Sequence, residues 1–360
     1  EQFFSTIEII FVDDFSTDNS VNIILQSMET DQRIKLIKND RHQGAGICRN
    51  CGLKVARGEY AIFLDADDYF YPNMLEVTYR YARQEKADVV VFGREVVDMS
   101  KSADEDGILS IKYDLYGNRV INGDDVTVKD YNQAAFIPWN KLVRKQFLTD
   151  HNISFQDLPA NNDVYYSFSV MISAEKIVYV DNILIRYYKN LPQSLTRGRS
   201  HKNYLPEAIT NCILYARNFA ELRKYKTISE YLLKIIKREI ATGTNDEITD
   251  KVCRLIKNQD VTGWIDDCIE NKTFNHIDIL FLQALKCNEI NDKMSAETWE
   301  AIKLSRLIEK VHSSNKKIAL WGCGRRGKKW LELMKHNRIN IDYVIDENLS
   351  MQGEKIYGFL

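Results

Sequence analysis

Gly58-Glu59-Tyr60-Ala61-Ile62-Phe63-Leu64-Asp65-Ala66-Asp67-Asp68 is a short apolar run that ends abruptly in carboxylates. Continuous hydrophobic residues without helical spacing read as a buried strand, and the acids then stand at its C-terminal edge. The same arrangement occurs upstream, where Ile7-Glu-Ile-Ile-Phe-Val12 runs into Asp13-Asp14. Between the two runs, Asp18 to Met28 has helical spacing, with Val21, Ile24, Leu25 and Met28 on one face. Arg33 to Ile37 reads as a further strand, and Gly44 and Gly46 open a helix that carries Cys48 to Ala56. Pro72 to Arg83 is helical again and Asp88 to Phe92 is one more strand. Alternating strands and helices predict an α/β domain with a mostly parallel sheet flanked by helices. Ligands bind such sheets beyond the carboxyl ends of the strands, which is where both acid clusters fall.

Further along, Lys101 to Asp130 is polar and reads as irregular chain or an edge hairpin, and Ala134 to about Thr196 is a second globular stretch. From Asn203 to His312 the pattern is helical and polar, with Tyr231, Leu232, Ile235 and Ile236 at spacings of three and four. No chemistry is legible there, and a helical linker or packing segment is expected. The character changes at Lys316: Lys317 to Trp321 is a strand, Gly322, Gly324 and Gly327 form a glycine turn, and Lys328 to His336 is a helix. Ile341 to Ile345 is the next strand and ends at Asp346. Three segments are therefore expected: 1–200 as the α/β domain, 201–315 as a helical linker or accessory domain, and 316–360 as a partial Rossmann-like βαβ unit.

The 360 residues include 44% hydrophobic and 28% charged residues and a net charge of −2, ordinary values for a globular protein. A nucleic-acid partner is not expected, since that usually requires a basic excess or stripe. No apolar run is long enough for a transmembrane helix, and Glu1-Gln-Phe-Phe4 does not resemble a signal peptide. A cytoplasmic protein is the expectation. The seven cysteines suggest no disulfide framework. The Cys48-Arg-Asn-Cys51 pair lacks the second ligand pair of a zinc site, so small buried thiols at a helix start are the simpler reading.

Asp65-Ala66-Asp67 is a D-x-D, whose alternation lets two carboxylates point the same way along extended chain. Hard oxygen ligands suit Mn²⁺ or Mg²⁺, which in turn bridge diphosphate oxygens. Alone the motif is weak, because paired surface aspartates are common. Its surroundings are more specific. Ile9-Ile-Phe-Val-Asp-Asp-Phe-Ser-Thr-Asp-Asn-Ser20 resembles the V-D-D-G-S-x-D element of the family 2 glycosyltransferases. Asn39 to Asp68 resembles that family's second block, with Gly44, Arg49, Asn50, Gly52, Ala56, Gly58, Glu59 and Tyr60 in register. Pro138-Trp-Asn-Lys-Leu142 is similar to its W-N-K-L element, and Ala174 to Asp181 and Tyr187 to Thr196 fit as well.

The resemblance covers about the first 200 residues and implies the GT-A fold, an inverting sugar transfer and a nucleotide-sugar donor, often a UDP-sugar. It implies Asp13 and Asp14 beside the base and ribose, Asp65 near the ribose, Arg49 near the diphosphate and Asp67 as principal ligand of Mn²⁺ or Mg²⁺. Simpler readings stand beside these: an ion pair with one of the acids for Arg49, and a helix cap for Asp13 and Asp14. Inversion needs one base for the acceptor hydroxyl. The family often supplies it from a Glu-Asp pair ahead of a helix. Asn161-Asn162-Asp163 occupies that place, which makes Asp163 the candidate base, with a helix-start acid as the alternative. Asn162 stands where glutamate is usual, so one charge is lost. His201 is a candidate late metal ligand, with a structural or exposed histidine as the plainer reading.

The resemblance also implies a saccharide or lipid-linked saccharide acceptor and a role in cell-surface polysaccharide synthesis; a peripheral association with the inner membrane face is left open, since no amphipathic basic helix stands out. The rival is a catalytically inactive nucleotide-sugar or dinucleotide binding module, favoured by Asn162. A nucleotidyltransferase fits less well, for want of a basic glycine-rich opening loop. Gly322, Gly324 and Gly327 with Asp346 have the context of a dinucleotide-binding turn, yet a full site needs two halves and a structural unit is the alternative. Finally, the family carries a strand and helix ahead of the segment matched by Ile7 to Val12. Glu1 to Thr6 is too short to hold them, so a fragment is expected, shortened after Tyr357 as well.

Overall fold

A computed structural model of the chain describes residues 2, 4–99, 108–109, 118–134, 136–191, 204–220, 224–240, 259–270, 319–321 and 343–345, with isolated positions between 254 and 283. The chain forms two compact units, Glu1–Tyr231 and Leu232–Leu360.

The first unit opens with a βαβ element. β1 (Ile9–Asp13) and β2 (Ile34–Lys38) pair in parallel, Ile9 opposite Ile34 and Asp13 opposite Lys38, across α1 (Ser20–Thr30). Asp18 Oδ1 accepts the Ser20 N–H at 2.9 Å and so satisfies a donor at the start of α1. Val21, Ile24 and Met28 are half-buried, whereas Leu25, expected on the same face, is exposed. α2 (Ala45–Val55) returns the chain to β3 (Tyr60–Ala61). β4 (Tyr69–Phe70) and α3 (Met74–Glu85) follow, and α3 ends in a left-handed Lys86 whose N–H returns to the last helical carbonyls.

The core is a seven-stranded mixed sheet ordered β3-β8-β5-β9-β4, where β5 is Val89–Asp98, β8 is Lys141–Arg144 and β9 is Lys176–Lys189. β6 (Ile108–Leu109) pairs with β5, and β7 (Arg119–Asn122) with β9. β5 and β9 run parallel through the centre, with a register shift around Gly93, and the other pairings are antiparallel. Val89 to Phe92 are fully buried, as expected of a strand covered on both faces. Met74 and Ala82 of α3 close one face over Val90, Phe92, Val178 and Val180. At the amino ends of the central strands, Asp88 accepts Arg144 Nη2 at 2.5 Å and the N–H groups of Glu175 and Lys176 at 2.9 and 3.1 Å. One buried carboxylate thus fixes the starts of β5 and β9 against the end of β8.

Two strands differ from the buried parallel strands expected. Of the Gly58–Leu64 run only Tyr60–Ala61 is paired, antiparallel to β8 at one end of the sheet, and Leu64 is exposed. β1 is half-buried, with Phe11 exposed. The physical reason is shared: among the described residues each strand has one paired neighbour, and both border the cleft described below.

α4 (Val128–Ala134), α5 (Lys145–Asp150), α6 (Asn162–Ser173) and α7 (Leu205–Ala216) complete the first unit. Ten of the twelve residues of α6 are buried, all but Asp163 and Tyr165, so this helix lies in the interior. The remaining described elements are α8 (Tyr225–Ile240), which begins within the first unit, α9 (Gln259–Glu270), β10 (Ala319–Trp321) and β11 (Tyr343–Ile345). Tyr231, Leu232, Ile235 and Ile236 are buried, in keeping with their spacing. β10 and β11 pair in parallel, and in sequence they stand immediately before Gly322 and Asp346 respectively. Gly322, Gly324, Gly327 and Asp346 themselves lie outside the described residues, as does His201.

Candidate active site

The turn between β2 and α2 is built on Asp14. Gly44 has φ 91°, a left-handed value that suits glycine, and this aims successive N–H groups at one carboxylate. Asp14 Oδ1 accepts Asn39 Nδ2 at 2.9 Å and Gln43 N–H at 2.8 Å, and Oδ2 accepts Gly44 N–H at 2.7 Å. His42 Nδ1 lies 2.8 Å from Oδ2. Burial alone would raise the Asp14 carboxyl, but these donors outweigh it and hold it below the usual carboxylate range. Asp13 is buried and accepts the Ser16 N–H at 3.2 Å, closing the turn after β1.

α2 then docks on the segment that leads into α6. Asn50 makes a two-way clamp: Nδ2 donates to the Phe155 carbonyl at 2.8 Å and Oδ1 accepts the Phe155 N–H at 2.9 Å. Gly46 permits the close approach, since a Cβ there would sit 2.3 Å from the Gln156 carbonyl oxygen and 3.0 Å from Asn162 Cβ. Phe155 stacks on Tyr166 of α6 at 4.0 Å between ring centroids, and Phe63 packs edge-on against both.

Arg49 lies across this junction. Its Nη2 donates to Asp65 Oδ1 at 2.7 Å, its Nη1 to Asn162 Oδ1 at 3.0 Å, and the guanidinium sits over the Phe155 ring at 5.2 Å. The ion pair weighed as the simpler reading of Arg49 is therefore present, and the same side chain also borders the cleft.

Carboxylate oxygens of Asp65, Asp67 and Asp68 converge within 4.8 Å of one another. Asp68 Oδ1 accepts the Tyr188 N–H at 3.2 Å, at the carboxyl end of β9, while Oδ2 is buried without a hydrogen-bond partner. Burial pushes the Asp68 carboxyl up to about 7 against the Tyr188 bond, and repulsion from Asp65 and Asp67 adds to the rise. An orphaned buried oxygen and three mutually repelling hard ligands fit a divalent cation such as Mn²⁺ or Mg²⁺.

Asp163 is the second residue of α6, where the helix dipole favours an anion. Asn161 precedes it at φ 60°, a left-handed conformation that asparagine tolerates, and so turns the chain sharply into the helix. The Lys141 ammonium is fully buried and donates to the carbonyl oxygen of Ile137 and to Asn140 Oδ1. Burial and the Arg94 charge push its pKa well below the usual lysine value, with Asp163 pulling the other way.

One cleft of about 1370 Å³ brings these groups together: Asp14, Arg49, Asp65, Asp67 and Asp163 all line it. Of the described residues expected at the site, Asp13 alone is not among the lining, being spent on its turn. Asp68, Asn162, Asn50 and Phe155 were not singled out as site residues by sequence reasoning. A third aspartate directly after the D-x-D was a signal that could have found Asp68. The Cys48 thiol is buried, accepts Asn39 Nδ2 at 3.3 Å and is pushed up to about 11 by burial, the opposite of a redox-active thiolate.

A mixed α/β sheet flanked by helices, with an aspartate cluster beyond the strand ends, defines a GT-A type domain. Residues 1–151 match the sequence profile of Glycosyl transferase family 2. Among curated relatives, the putative glycosyltransferase EpsH of Bacillus subtilis strain 168 is 31% identical over 241 residues, 64% of this chain and 64% of that protein. The glycosyltransferase GlyG of Streptococcus pneumoniae is 28% identical over 245 residues, 62% of this chain and 76% of that protein. The chain thus spans a little under two thirds of EpsH. Among solved structures, S. aureus TarS 1-349 in complex with UDP superposes with a TM-score of 0.64 at 16% identity, covering 88% of this chain and 86% of that one.

Proposed function

We propose that the chain transfers a sugar, with inversion, from a nucleotide-diphosphate donor to an acceptor hydroxyl, in the synthesis of a cell-surface polysaccharide. The observation that carries this reading is the convergence of the Asp65, Asp67 and Asp68 carboxylates, of which Asp65 and Asp67 line the cleft that Arg49 and Asp163 also line. A uridine nucleotide is the first donor to test, because TarS, of the same fold, has been solved with UDP and with UDP-GlcNAc. A saccharide acceptor is favoured by relatives such as the β-1,3-glucosyltransferase WfaP of Escherichia coli, named for glucose transfer onto a lipid-diphosphate-linked GlcNAc. Among the described residues no helix is long and apolar enough to cross a membrane.

The residues divide the work. Asp67, with Asp65 and Asp68, would hold Mn²⁺ or Mg²⁺, which when bound neutralises charge on the departing diphosphate. Asp14 and the turn it anchors form the cleft wall beside the base and ribose. Arg49 presents a guanidinium suited to forked contacts with phosphate oxygens. Asp163 takes the proton of the acceptor hydroxyl as that oxygen attacks the anomeric carbon from the face opposite the leaving group.

Incubation with a panel of UDP-sugars and saccharide acceptors, with the product anomer read by NMR, tests the proposal. Transfer with inversion is expected, and Asp163→Asn should lower kcat by roughly 10²–10⁴-fold while leaving nucleotide affinity intact. Retention of configuration, or an Asp163→Asn variant as active as the parent, would contradict it. Nucleotide binding without any transfer would favour the inactive binding module instead.

A further inference from the structure

Asn162 is buried and does two incompatible things for any side chain but an amide. Its Oδ1 accepts Arg49 Nη1 at 3.0 Å, and its Nδ2 donates to the Leu158 carbonyl at 3.3 Å. Arginine can only donate and a carbonyl can only accept, so the partners themselves fix the amide's orientation. A carboxylate would keep the first bond, lose the second by facing another oxygen, and bring a negative charge to within hydrogen-bond distance of Arg49. A leucine would fill a similar volume and lose both bonds.

The geometry points to Asn162 as a positioning residue that orients Arg49 toward Asp65 and the donor without consuming its charge. This rests on the donor reading above. The guanidinium is held at three points: Asn162 at one nitrogen, Asp65 at another, and the Phe155 ring beneath. Only one of the three carries a charge. With a neutral partner at 162, Arg49 faces one carboxylate and retains net attraction for a diphosphate. With an acid at 162 it would be shared between two, and the added anion would also repel the diphosphate. The same side chain is the first residue of α6, so the contact that aims Arg49 also ties it to the turn bearing Asp163.

Calorimetric titration of UDP with Mn²⁺ into the parent chain, Asn162→Asp and Asn162→Leu tests this, with urea midpoints confirming that each is folded. If Asn162 spares the charge of Arg49, Asn162→Asp weakens UDP binding about tenfold, and more than Asn162→Leu does, although aspartate keeps the bond to Arg49. A merely structural role gives the reverse order, and UDP binding by Asn162→Asp equal to or tighter than by Asn162→Leu would overturn the inference. Should Asn162→Asp fail to fold, Asn162→Glu, whose longer reach need not face Leu158, is held to the same criterion. A parent chain that binds no UDP overturns the donor reading and this inference with it, whereas a binding parent with the reversed order overturns this inference alone.

Discussion

Arg49 Nη2 and Asp65 Oδ1 lie 2.7 Å apart, joining the helix after the Gly44 turn to the first acid of the metal-competent cluster. Because Asn162 holds the same guanidinium from the other side, the aspartate cluster and the first turn of α6 are tied together through one side chain.

A lysine at this position would keep a charge near Asp65 but could not reproduce the planar fork that reaches both partners. Arg49→Lys is therefore expected to weaken UDP binding about tenfold, or ~1.4 kcal/mol. Calorimetry checks this, and unchanged affinity would show that the fork is dispensable.

Gly46→Ala should destabilise the first unit by about 1–3 kcal/mol, the usual cost of overpacking. The new methyl would meet the Gln156 carbonyl at 2.3 Å, a backbone atom that cannot swing aside. Urea unfolding reads the loss. At Gly44 a Cβ meets nothing within 4 Å, so Gly44→Ala reports the strain of φ 91° instead.

Asp14 sets a pH dependence. Its folded carboxyl titrates below its unfolded value, so the stability it contributes is complete above about pH 4 and fades as pH falls through the lower folded value. Asp14→Asn can satisfy the donors on one oxygen but not both, and should cost about 1–3 kcal/mol at pH 7. The gap between parent and variant should narrow as urea titrations are taken below pH 4. A gap independent of pH would mean the charge contributes nothing.

The parts of the fold legible in advance are those written locally. The apolar runs expected at Ile7–Val12, Arg33–Ile37 and Asp88–Phe92 coincide with β1 (Ile9–Asp13), β2 (Ile34–Lys38) and the start of β5 (Val89–Asp98), because a short unbroken hydrophobic segment has few other ways to bury itself. Pairing direction was not local: β8 returns between β3 and β5 and pairs antiparallel with both, so the sheet is mixed, with β5 and β9 parallel at its centre. At the site, Asp65 and Asp67 could be read from two positions on one strand end. The Arg49–Asn162 contact joins residues 113 apart, and neither side chain announces it. Asp68 was visible as a third acid beside the D-x-D, but its burial was not, because that depends on the end of β9 and the Tyr188 N–H that arrives from there.

The most direct test of a working donor site is calorimetric titration of UDP into the parent chain and into Asp67→Ala, each with and without Mn²⁺. Binding by the parent that strengthens with Mn²⁺, and loses that dependence in Asp67→Ala, is the expected result. UDP binding that is indifferent to both Mn²⁺ and Asp67, or no UDP binding at all, would contradict the account.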